Sequence, residues 1–144
     1  TKGEQQNIID TILTPHHTDL FVEEPEAHIF PSTQKSFVYS LVEMLNGNVQ
    51  HTCFLATHSP YILTAFNNII LAGETMAMSK EKADKVSVIM PKRQTLCYDE
   101  VAAFEMSNGR NHSIMDEDFR LISADAIDAA SQEISNDFDY LLNI

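Results

Sequence analysis

Three carboxylates crowd into four residues at Glu23, Glu24 and Glu26, with Pro25 among them. Neighbouring carboxylates repel, so such a pair is costly unless a cation or a proton lies between them. The apolar run Leu20-Phe21-Val22 leads straight into these acids and is short enough for one buried strand. A strand ending in acids sets negative charge at the carboxyl edge of a sheet, the edge at which open α/β sheets take ligands. A second apolar run, residues 51–56 (HTCFLA), ends in Thr57-His58-Ser59-Pro60. Ser59 can cap a following helix and Pro60 suits its first position, so His58 stands at a strand end beside a helix N-terminus. In a parallel sheet that is the rim occupied by Glu23 and Glu24. Taken singly, each feature has a plainer reading: a solvated acidic turn, and a structural histidine.

The elements that must position these residues follow from hydrophobic spacing. Asp19 to Val22 is expected to be a strand and residues 31–45 a helix, with Phe37, Val38, Leu41, Val42, Met44 and Leu45 on one face. Asn46-Gly47-Asn48 closes the helix with residues that tolerate a left-handed backbone. Strand, helix, strand is the signature of a parallel sheet, and convergence on one rim depends on Val22 and Ala56 being neighbours in it. A short helix over 60–66 and a third buried strand over 68–72 (NIILA) are expected next. Before the acidic turn, Ile8, Ile9, Ile12 and Leu13 recur at helical spacing between Gly3 and Pro15. After residue 75, residues 76–84 read as a loop or short helix, and residues 86–90 and 95–98 as a hairpin around Pro91-Lys92-Arg93-Gln94. A further strand over 101–106 runs to an Asn108-Gly109 turn, and residues 111–121 show no single period. Residues 123–142 read as a long helix with Ile127, Ala130, Ile134, Phe138 and Leu141 in one stripe, packed on its own domain or against a partner.

Composition narrows the function classes. At 144 residues the chain is one domain or part of one. Its net charge of -12 repels phosphate backbones, which argues against this piece as a nucleic-acid-binding surface. Cys53 and Cys97 lack CxxC spacing and read as core thiols. No apolar stretch approaches the roughly 18 residues of a membrane span, and no signal peptide opens the chain, so the expected compartment is the cytoplasm. Thr1 begins in the middle of a pattern, as a fragment would.

Three segments in order now carry a resemblance: TKGEQQ at residues 1–6, LFVEEPEAHIFP at 20–31 and FLATHSP at 54–60. Together they resemble the second half of the nucleotide-binding domain of ABC-type ATPases, closest to the soluble SMC/RecF/OLD-like group, often labelled AAA-type in bacteria. TKGEQQ is similar to the ABC signature, Glu23-Glu24-Pro25-Glu26 to the end of Walker B, residues 27–31 to the D-loop, and Thr57-His58-Ser59-Pro60 to the H-loop. The resemblance implies a P-loop NTPase (ABC-type) parallel sheet, present in part, with flanking helices, a small β-hairpin region and the long C-terminal helix. It makes residues 1–74 the C-terminal half of the ATPase core and 75–144 a family-specific extension packed on the same domain. It assigns Mg²⁺, usually through water, to Glu23, the general base to Glu24, and contact with the γ-phosphate to His58. Thr1, Gly3 and Gln5 match signature positions, which in the family close over ATP held by the other protomer of a homodimer.

The departures from the family pattern are specific. Glu23 stands where Asp is usual, and Phe30 where the D-loop segment usually has His. No GxxxxGK(S/T) loop and no Q-loop occur, and none of Gly3, Gly47, Gly73 and Gly109 belongs to a phosphate-cradling loop. The expectation is therefore an ATP-binding, ATP-hydrolysing protein in its full-length form, with this piece inactive alone. In the full-length protein a nucleic-acid partner would be met outside this acidic piece. The alternatives are a non-catalytic module that uses the acidic C-terminal helix to hold a basic partner, and an OLD-like nuclease using Asp116-Glu117-Asp118.

Overall fold

The computed structural model describes residues 17–47, 51–123 and 141. Strand β1 (Asp19–Glu23), helix α1 (Pro31–Leu45) and strand β2 (Thr52–Ala56) form a β-α-β unit whose strands are parallel. The register sets Phe21 opposite Phe54, Val22 opposite Leu55 and Glu23 opposite Ala56, one step from the expected Val22–Ala56 neighbours, so both strands end level. Helix α1 opens on Pro31, whose missing N–H is harmless in a first turn. Its inward stripe is Gln34, Val38, Leu41 and Val42, three of them apolar at helical spacing.

The strands are not buried on both faces. The inward face sets Leu55 against the core. On the outward face Phe21 and Phe54 are 72% and 54% exposed and stack with their ring centroids 4.8 Å apart. Parallel sheets are ordinarily covered on both sides.

Helix α2 (Pro60–Met78) runs unbroken for 19 residues, which corrects the expected short helix over 60–66 and removes the expected strand over 68–72. Its buried residues, Ile62, Ala65, Ile69, Ile70 and Gly73, fall at helical spacing, and Ile62 and Ile69 meet Val38 and Val42 of α1 in the core. No Pro or Gly separates Phe66 from Asn68, so nothing in the chain stops the helix there. The helix also continues past residue 74, where the first of the two expected units ends.

Helix α3 (Lys80–Ser87) follows directly, with the Ser79 hydroxyl accepting from the Lys82 N–H at 3.2 Å. It falls largely on the expected loop or short helix over 76–84 and takes in Val86 and Ser87 from the first strand of the expected hairpin. Pro91 opens a 3₁₀ turn, Lys92–Gln94, instead of a hairpin turn. Met90 is buried in the core and Leu96 packs against it, so burial holds these segments where a ladder was expected. A second 3₁₀ turn spans Tyr98–Glu100.

Two small antiparallel hairpins complete the described chain: β3 (Phe104–Ser107) with β4 (Arg110–Ser113), and β5 (Met115–Asp116) with β6 (Leu121–Ile122). Asn108 and Gly109 take φ of 51° and 72°, the two positive values that a type I′ hairpin turn needs. The molecule is thus mixed α/β, with its hairpins later in the chain than the alternation predicts. The expected helices around residues 8–13 and 123–142 lie outside the described residues. Among the described residues no helix is long and apolar enough to cross a membrane.

Candidate functional site

The level strand ends bring the backbone of Glu23, Glu24 and His58 to one rim. Glu23 is the last residue of β1, and the Glu24 N–H continues the ladder by donating to the Ala56 carbonyl at 2.9 Å. His58 follows β2 by two residues. Glu23, Glu24 and His58 are all exposed, and neither acid side chain bonds to any described residue. Their carboxylates are therefore open to a ligand. No hydrogen bond joins either of them to the His58 ring.

The turn between β1 and α1 is wound tightly. The Ala27 N–H donates to the Glu24 carbonyl at 3.0 Å, and the Ile29 N–H to the Glu26 carbonyl at 3.2 Å. Glu24 and His28 bracket it at φ of 44° and 63°. A side chain in this left-handed region costs of order 1–3 kcal/mol, and a residue before proline ordinarily takes an extended backbone. Glu24 meets both penalties, and its two backbone hydrogen bonds hold it there. Strain of this kind gathers at functional positions.

Glu26 and Gln34, not given a role from the sequence, bind the rim together with Ser59, the expected helix cap. Glu26 Oε1 accepts from the His58 backbone N–H at 2.7 Å, and Oε2 of the same carboxylate is buried without a hydrogen-bond partner. Gln34, buried on α1, donates from Nε2 to the Ile29 carbonyl at 3.1 Å and accepts from the Ser59 hydroxyl at 2.5 Å. Ser59 Oγ also accepts from the Tyr61 N–H at 3.2 Å, as the cap of α2, while the Ser59 N–H donates to Thr57 Oγ1 at 3.0 Å. Glu26 belonged to the acidic run, but its reach across the sheet edge leaves no mark in spacing. A glutamine in the first turn of a helix carries no signal either.

Partial burial pushes the Glu26 carboxyl up, but the His58 N–H, its own N–H and the Thr57 hydroxyl outweigh that and hold it below the usual carboxylate value. Away from the rim, Asp116 is occupied: its Oδ1 accepts from the Asp118 and Phe119 N–H groups, each at 3.0 Å, closing the β5–β6 turn. Both cysteines are free and half-buried. Among the described residues no three His, Cys, Asp or Glu side chains gather as a metal-binding group. Mg²⁺ in phosphoryl-transfer sites commonly takes only one or two carboxylates plus substrate phosphates and water, so a group of three protein ligands is not required of such a site.

Thr1, Gly3 and Gln5 lie outside the described residues. Comparison of the chain with protein-family models, with curated proteins and with solved structures gave no match.

Proposed function

We propose that the chain is the C-terminal part of an ABC/AAA-like ATPase of the P-loop class, and that Glu23, Glu24 and His58 are its part of the nucleotide site. The observation that carries the reading is the parallel β1–β2 pair ending level, with Glu24 N–H bonded to Ala56, so that two unpaired acids share a rim with an imidazole. The open outward face of that sheet fits a covering layer supplied from outside the described residues. Bound Mg²⁺ would neutralise charge on the phosphates of ATP. Glu23 would hold the ion's water shell, Glu24 would orient the attacking water and take its proton, and His58 would donate to the γ-phosphate. Thr1, Gly3 and Gln5 would meet ATP bound by a second protomer. Without a phosphate-cradling loop this piece has no turnover of its own, and any nucleic-acid contact lies elsewhere in the full-length protein.

The test is Glu24→Gln in the full-length protein. The amide keeps the shape and removes the base. Turnover is expected to fall by about 10²–10⁴, while ATP binding measured by nucleotide titration stays near the parental value. A variant that hydrolyses ATP at the parental rate would remove Glu24 from the mechanism.

A further inference from the structure

The rim is made of two separate turns, one after each strand, and one side chain crosses between them. We propose that Glu26 is a positioning residue that ties the turn carrying Glu24 to the turn carrying His58, so that the backbone at those two residues keeps one relative placement. The part of this concerning turnover rests on the ATPase reading; the tie itself does not.

Four observations carry it. The Glu26 Oε1–His58 N distance of 2.7 Å is that of a charge-assisted hydrogen bond. The donor is a backbone group, so the bond fixes the path of the chain at His58 and leaves the imidazole free. The second carboxylate oxygen is buried, so the side chain is turned in toward the rim and not out to water. Finally, the residues around Glu26 are set for this reach: Glu24 and His28 hold left-handed backbones on either side, and the Ile29 N–H closes on the Glu26 carbonyl. The ladder bond from Glu24 to Ala56 ends two residues short of His58, and the Gln34–Ser59 contact begins one residue after it. Within the described residues, Glu26 therefore supplies the one direct bond from the acidic turn to His58.

The experiment pairs amide hydrogen exchange with steady-state kinetics in the full-length protein. Glu26→Ala removes the acceptor, and exchange at the His58 N–H is expected to speed up about ten- to a hundredfold, with the core amides of Ile62 and Ile69 unchanged. Glu26→Gln keeps an oxygen that can accept the same N–H and should restore the slow rate. In turnover, Glu26→Ala should lower kcat about tenfold or more with little change in KM for ATP, and Glu26→Gln should recover most of it. If the Ala variant does not fold, Glu26→Asp, which keeps the charge and shortens the reach, carries the same comparison. Unchanged exchange at His58 in the Ala or Asp variant overturns the tie. Faster exchange with unaltered kcat overturns the positioning role while leaving the ATPase reading intact. If instead Glu24→Gln keeps the parental rate, the ATPase reading fails alone, and exchange at His58 still decides the tie.

Discussion

Ser59 does two jobs with one hydroxyl: it caps α2 and donates to buried Gln34. Removing it breaks both. Losing the cap costs about 1 kcal/mol, and leaving the Gln34 oxygen buried and unpaired adds about 1–3 kcal/mol. Ser59→Ala is therefore expected to lower unfolding free energy by about 2–4 kcal/mol in urea titration. In Ser59→Ala combined with Gln34→Met neither side of the Ser59–Gln34 bond is left unpaired, and the loss of the Gln34–Ile29 bond is already counted in the single change, so the pair should cost less than the two single changes together. Strictly additive losses would show that the bond is not energetically real. The capping role was legible, because Ser-Pro before an apolar run is a helix-start signal. The donation to Gln34 was not, because the partner lies 25 positions away.

At the scale of elements, the close contact is between α2 and the strand-like segment after the 3₁₀ turn. Gly73 is buried on α2, and a Cβ placed there would lie 2.2 Å from the Leu96 carbonyl oxygen and 2.7 Å from its carbon. Helix propensity alone favours alanine over glycine by about 1 kcal/mol. The clash is with backbone, which cannot swing aside as a side chain could, and overpacking of this kind costs about 1–3 kcal/mol or more. Gly73→Ala is therefore expected to destabilise the protein, and a denaturation midpoint that rises instead would refute the packing. The same contact explains a misreading from sequence. The strand expected over NIILA stops one residue before Gly73, whereas in the structure Gly73 lies inside a helix and lets it approach another segment. A five-residue apolar run fits a strand or a buried helix equally, and the packing of Ile62 and Ile69 on α1 decides for the helix.

Across the whole molecule, charge pairing ties the later segments to the helices. Arg120 donates to both oxygens of Glu74 on α2 at 2.9 and 3.2 Å and to Asp99 at 2.8 Å, and stacks over the Tyr98 ring at 4.7 Å. Glu74 also accepts from the Tyr98 N–H at 2.9 Å. On the other side, Arg93 and Gln94 both donate to Glu43 of α1. The Arg120 bonds, then the Tyr98 N–H, hold the Glu74 carboxyl below its usual value, and the Gln94 and Arg93 bonds do the same for Glu43. With Glu26 also lowered, the folded protein binds fewer protons than the unfolded chain just below the ordinary glutamate value. Stability is then full above that value and is lost as pH falls through the depressed folded values. Urea midpoints should drop steadily on acidification in that range. Glu74→Gln should flatten the drop, and an unchanged slope would mean that Glu74 does not titrate differently on folding.

The β1–α1–β2 unit was readable because its signals are local: an apolar run of strand length, a proline start, a helical stripe, a second apolar run. Each lies within a few residues, and a parallel pair then forces the two strand ends onto one rim. By itself the sequence therefore determined that Glu23, Glu24 and His58 share an edge. Tertiary structure decided what lies between them, the Glu26 bond to His58 and the Gln34–Ser59 contact, and whether NIILA continued a helix. Those outcomes depend on partners far along the chain, where burial and hydrogen bonding outweigh any local preference.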